Sequence, residues 1–129
     1  MIEFLSIEEA LLIHEEQIQL FGGSHGVRDL GLLESALAQP QVTFSGQFLH
    51  ADLFAMAAAY LFHVAMNHPF IDGNKRVAAA TAIVFLQLNG WIDTATEEEL
   101  VDLTLGVAAG QIGKDRVAEF FRLHSKEIG

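Results

Sequence analysis

The sequence predicts an all-α protein: a compact single-domain bundle of about six helices, with a polar loop between two central buried helices. Three observations carry this. Apolar residues recur at helical spacing along most of the chain, helix-capping signatures punctuate it, and no alternating runs suited to paired strands appear. At 129 residues and 51% apolar content the chain has the length of one domain and can bury a core without staples. Residues 1–129 are read as that one domain, because no repeat, low-complexity run or Pro/Ser-rich linker divides them.

Ser6 with Glu9 forms a capping box, and Ile7, Ala10, Leu11, His14, Ile18 and Phe21 then recur at helical spacing. They predict a first helix over 7–21, stopped by Gly22-Gly23. The run Gly22-Gly23-Ser24-His25-Gly26 predicts a loop with positive φ; it is read either as a docking surface or as a simple turn. Asp29 then caps a second, shorter helix through Leu33 and Leu37 to Pro40. Residues 41–50 are β-leaning around Gly46 but have no partner run of comparable length, so they predict a loop or small flap carrying Phe44 and Phe48. Asp52 caps a third helix that is apolar on every face to Met66, the pattern of a helix surrounded by other helices.

A fourth helix is expected from about Gly73 to Leu88, with Val77, Thr81, Val84, Phe85 and Leu88 on one stripe and Gly90 at its C-terminal cap. Thr96 with Glu99 repeats the capping box before a helix through Leu100, Leu103 and Val107. Val117, Phe120, Phe121 and His124 mark a last amphipathic helix.

Charge and composition exclude several classes. A net charge of −10 with no basic stripe opposes the counterion release that drives nucleic-acid binding, so DNA and RNA are not expected as direct ligands. The acidic surface suits plain solubility, or a basic protein partner. Cysteine is absent, which removes disulfides, thiolate metal sites and thiol nucleophiles and fits a reducing compartment. Met1-Ile2-Glu3-Phe4 lacks the basic start of a signal peptide, and the apolar stretch from Leu53 to Met66 is shorter than the roughly 20 residues of a membrane span. A cytoplasmic protein that meets no membrane is expected.

The chemistry concentrates in His68-Pro69-Phe70-Ile71-Asp72-Gly73-Asn74-Lys75-Arg76. Five polar residues between the two most hydrophobic helices are costly unless they are paired or bind a ligand. A helix starting near Gly73 would aim free N–H groups and the positive end of its dipole into this loop, which suits an anion such as phosphate. Gly73 leaves room for an oxygen, Asn74 can donate from its amide, and Lys75 and Arg76 bring positive charge. Asp72 suits a Mg²⁺ ion bridging phosphate oxygens, or alternatively a helix cap. His68 can accept the proton of an attacking hydroxyl, as imidazole with its ordinary pKa of about 6.5 is largely neutral at cellular pH. Phe70 is read as a core anchor that fixes the loop, and His14, His25, His50, His63 and His124 as structural.

His68, Phe70, Asp72, Gly73, Asn74 and Arg76 resemble the motif of the Fic/Doc family, His-x-Phe-x-acidic-Gly-Asn-Gly-Arg-x-x-Arg in its AMP-transferring members. Lys75 replaces the second Gly and Ala79 the last Arg, and both departures resemble the Doc branch, the toxins of Phd/Doc toxin–antitoxin pairs. Gly22-Gly23, Gly26, Arg28-Asp29 and the Leu32-to-Leu37 segment are similar to the same branch. The resemblance implies a Fic/Doc-like fold with His68 as general base, Asp72 as Mg²⁺ ligand, and Gly73, Asn74, Lys75 and Arg76 around the phosphates of ATP. It implies transfer of the γ-phosphate to a Thr/Ser hydroxyl, with translation elongation factor Tu as target and arrest of translation as result. Transfer of AMP through the same loop is the alternative, and a non-catalytic protein-binding module the second. The resemblance also implies a Phd-like antitoxin as partner. Thr94 to Glu99 comes nearest to an internal inhibitory motif but lacks its final Gly or Asn, so inhibition is expected from another chain.

Overall fold

A computed structural model describes residues 1–129, and six helices dominate it. They are α1 (Ile7–Phe21), α2 (Leu30–Ala38), α3 (Leu53–Asn67), α4 (Asn74–Leu88), α5 (Glu97–Ala108) and α6 (Lys114–Leu123). Their starts follow local chemistry. Ser6 Oγ accepts from the Glu9 N–H at 3.1 Å while Glu9 accepts from the Ser6 N–H at 2.9 Å, and Thr96 and Glu99 repeat both bonds. Asp29 and Asp52 cap α2 and α3 by accepting from the N–H groups of Leu32 and Ala55. Each such cap is worth about 1 kcal/mol.

The core is built around α3. Met56 to Leu61, Val64 and Ala65 are buried on it, and the four alanines among them let neighbouring helices approach closely. Val77, Ala78, Phe85 and Leu86 of α4 pack on one side, and Val117 and Phe121 of α6 on another. Full burial of a Phe side chain contributes roughly 2 kcal/mol. Tyr60 is fully buried, and its hydroxyl accepts from the Leu5 N–H at 2.9 Å, pinning the extended N-terminal segment to the core. Burial pushes the Tyr60 pKa up to about 12.

Two small antiparallel ribbons accompany the helices. The expected flap is a hairpin of β1 (Thr43–Phe44) and β2 (Gln47–Phe48), turned by Ser45 and Gly46 at φ 52° and 79°. The second ribbon departs from the sequence reading, which found no strands. β3 (Trp91–Asp93) pairs with β4 (Ser125–Glu127), joining the turn after α4 to the end of the chain. Runs this short carry no readable alternation, and their pairing is set by the helices that bring them together. Helix α4 starts one residue later than expected, after Gly73, and Gly90 follows its C-cap Asn89 with φ 92°. Helix α2 stops at Ala38, and Pro40 lies in a 3-10 turn. No helix is long and apolar enough to cross a membrane.

Candidate active site

The loop joining α3 to α4 lies at the surface, between the two helices in closest contact in the molecule. His68 is the C-cap of α3 and takes a left-handed conformation, φ 47° and ψ 55°, one of two non-glycine residues with positive φ. That geometry breaks the helix direction, and His68 is exposed while Pro69 and Phe70 turn into the protein.

The loop is braced from within by Asn74. Its Oδ1 accepts from the Phe70 N–H at 2.9 Å and its Nδ2 donates to the Phe70 carbonyl at 3.0 Å. The sequence reading has the Asn74 amide donating to an anion; the structure adds this internal brace, which uses one of the two Nδ2 hydrogens. Phe70 is 1% exposed, as an anchor should be.

The alternative reading of Asp72 as the cap of α4 does not hold. The N-cap is Gly73, left-handed at φ 79° and with no side-chain cap. The Asp72 carboxylate accepts instead from the N–H of Ser24 at 3.2 Å and of Gly73 at 2.9 Å. These two N–H groups, Ser24's first, hold its pKa below the ordinary value, with Arg76 adding to them. An exposed, ionised carboxylate with unused lone pairs fits Mg²⁺, which usually takes one or two carboxylates and completes its shell with water and phosphate. Nowhere do three His, Asp or Glu side chains gather into an all-protein metal cage.

The opening N–H groups of α4 at Asn74, Lys75 and Arg76 have no intrahelical acceptor, as at any helix start, and no side chain caps them, the arrangement that attracts an anion. Lys75 is exposed. Arg76 is partly engaged: its Nη1 donates to the Gly22 carbonyl at 3.2 Å, and its guanidinium lies 5.2 Å from the Phe21 ring centroid. The sequence-selected residues thus share one surface, with His68, Asp72, Lys75 and Arg76 exposed and Phe70 and Asn74 shaping the backbone beneath them.

The sequence reading missed how much the 22–29 loop contributes. It braces the site and so is not a free turn. Arg28 Nε donates to the His68 carbonyl at 2.7 Å and its Nη2 to the Asn67 carbonyl at 3.0 Å, which serves the open C-terminus of α3. The N–H groups of Arg28 and Asp29 both donate to the Pro69 carbonyl, and the Ile71 N–H donates to Gly26. Gly23 at φ 115° lies where an added Cβ would meet Asp72 Oδ2 at 2.7 Å. The glycine pattern and the Arg28-Asp29 pair were the available signal. His14, read as structural, is also involved: it is buried, stacks on Phe70 and bonds to the Asp72 carbonyl.

Beside the loop a cavity of about 500 Å³ opens among α1, α4 and α5, lined mainly by apolar side chains, with Lys75, Arg76 and Ala79 among its lining.

A sequence model described as the Fic/DOC family matches residues 4–86. "Protein kinase doc" of Escherichia phage P1 is 36% identical over 118 residues, 92% of each chain. "Toxin Doc" of Mycolicibacterium smegmatis is 50% identical over 70 residues, 54% of each chain.

Proposed function

The chain belongs to the Fic/DOC family, in its Doc branch, and from that premise we propose that it is a toxin of a toxin–antitoxin pair that transfers the γ-phosphate of ATP to a protein hydroxyl. The observation that carries the reading is the junction of α3 and α4. It sets an outward-facing imidazole at a left-handed cap beside an uncapped helix N-terminus and an ionised carboxylate.

The residues divide the work as follows. His68 takes the proton from a Thr or Ser hydroxyl as its oxygen bonds to the γ-phosphorus. The bond from that phosphorus to the β-phosphate's bridging oxygen breaks, and ADP leaves. The N–H groups of Asn74, Lys75 and Arg76, with the charges of Lys75 and Arg76, hold phosphate oxygens and offset their charge. Asp72 would hold Mg²⁺, which when bound neutralises phosphate charge and orients the nucleotide. Asn74, Phe70 and Arg28 keep the loop in one shape, so little reorganisation remains for the reaction.

The target we propose is translation elongation factor Tu, with loss of translation as outcome and the cytoplasm as the place of action. The exposed Phe44 and Phe48 of the β1–β2 hairpin supply an edge on which an extended target segment can pair. A Phd-like antitoxin would occupy the 500 Å³ cavity with an apolar helix face and pair an acidic group with Lys75 or Arg76.

The test is mass spectrometry of purified elongation factor Tu after incubation with ATP, Mg²⁺ and this protein, beside a His68→Ala control. A phosphate-sized gain that depends on His68 supports the proposal. An AMP-sized gain moves the chain to nucleotide transfer, and no gain on this or other protein targets leaves the non-catalytic binding module.

A further inference from the structure

The strongest unassigned contact in the molecule joins α1 to the active-site loop. His14 is 2% exposed, and its ring lies parallel to Phe70, 4° between planes and 4.0 Å between centroids. Its Nε2 is 3.0 Å from the carbonyl oxygen of Asp72, fifty-eight residues away. A carbonyl oxygen can only accept, so the hydrogen is on Nε2.

That carbonyl belongs to the same peptide unit as the N–H of Gly73. A trans peptide is planar, so its C=O and N–H point in opposite directions. With the carbonyl drawn inward to His14, the Gly73 N–H is turned outward to the Asp72 carboxylate, where it donates to Oδ1 at 2.9 Å. Nothing in the residue following the bond enforces this orientation. Gly73 sits at φ 79°, and glycine occupies positive and negative φ about equally well. A half-turn of the 72–73 peptide is therefore locally cheap. It would put a carbonyl oxygen where the loop presents a donor, and it would take the Gly73 N–H away from the Asp72 carboxylate.

We infer that His14 is a positioning residue that locks the Asp72–Gly73 peptide, and so fixes the loop as a phosphate-accepting rather than phosphate-repelling surface. The inference rests on the proposed nucleotide site for its catalytic consequence, but the lock itself is a property of the ligand-free chain. Phe70 completes it: its ring stacks on the imidazole, and its backbone is held by both ends of the Asn74 amide. The imidazole thus has one face supported and one nitrogen committed.

The first readout is nuclear magnetic resonance of the ligand-free wild-type protein. Long-range ¹H–¹⁵N correlation is expected to show His14 protonated at Nε2, and an Nδ1-protonated neutral ring overturns the lock. The second compares His14→Phe, which keeps an aromatic ring on Phe70 but cannot donate, with His14→Gln, which can. The Gly73 amide signal is expected to shift or broaden in the Phe variant and return toward the wild-type position in the Gln variant. An unchanged Gly73 amide in a folded Phe variant overturns the proposal.

The third readout is calorimetric binding of a non-hydrolysable ATP analogue with Mg²⁺, set beside steady-state kinetics. The Phe variant is expected to lose about 10- to 100-fold in kcat/KM for ATP, with weaker analogue binding and a Tm close to wild type, and the Gln variant to recover most of it. A purely structural role would instead lower Tm in both variants and scale kcat with the folded fraction at unchanged KM. If the wild type fails to bind the analogue while the tautomer and amide results hold, the proposed function fails and the lock stands.

Discussion

Acid should weaken this protein through one cluster in particular. His50 Nε2 and His63 Nε2 lie 3.3 and 2.9 Å from Lys114 Nζ, where α6 begins against α3. Two neutral imidazoles can each accept from an ammonium, but a protonated one beside it is repelled. Burial first, then Lys114 and His50, lowers the His63 pKa from its ordinary 6.5 to about 4. A group whose folded pKa is depressed contributes its full stability above its unfolded pKa and loses it as pH falls toward the folded one. For His63 that window runs from 6.5 down to about 4. A gap of that size corresponds to about 3.4 kcal/mol, and because His63 is only half-buried, solvent screening reduces the expected loss to roughly 1–2 kcal/mol. The assay is urea unfolding of wild type and His63→Gln across this window. Asp72 and Glu99, with lowered pKa values, and Asp93, with a raised one, titrate in both proteins and cancel in the difference. Wild type should lose about 1–2 kcal/mol more than the variant on acidification. Parallel pH profiles would refute the reasoning.

Further outcomes follow from single contacts. Tyr60→Phe leaves the Leu5 N–H buried without its acceptor and should cost about 1–3 kcal/mol in urea unfolding, with little change in catalysis. Gly23→Ala places a methyl group against Asp72 Oδ2 at a backbone φ of 115°, so on the proposed function half-maximal activity should require more Mg²⁺, along with a stability loss of about 1–3 kcal/mol. Asn74→Ala removes both bonds to the Phe70 backbone, and kcat should fall by about 100-fold with the protein still folded by circular dichroism.

The helices were legible because their signals are local. Ser6 with Glu9, Asp29, Asp52, and Thr96 with Glu99 are caps whose partners lie three residues away, and all four form as the spacing requires. The uniform apolarity of α3 likewise reports its central position without reference to any other segment. The site residues could be named for the same reason, since 68–76 is one short run. Their individual roles were harder to assign, because they depend on partners distant in sequence. The sequence cannot show that Ser24 is brought to the Asp72 carboxylate, or that the Asn74 amide also braces the Phe70 backbone. Arg28, His14 and the β3–β4 ribbon act across 32 to 58 residues, and no periodicity encodes such a meeting.

The backbone at His68 has a consequence for how this protein changes over generations. At φ 47° the chain favours glycine or asparagine, and an ordinary side chain held there costs about 1 kcal/mol or more. His68→Gly or His68→Asn should therefore leave the fold as stable as before or more stable, which thermal unfolding can check. The cavity beside α4 and its lining remain in such a chain. No hydrogen bond or packing contact of the His68 side chain ties the fold to histidine at this position, so on the proposed function its value there is chemical. If the proposed function holds, one substitution there silences the site while leaving a well-folded chain whose α1–α4–α5 cavity is unchanged.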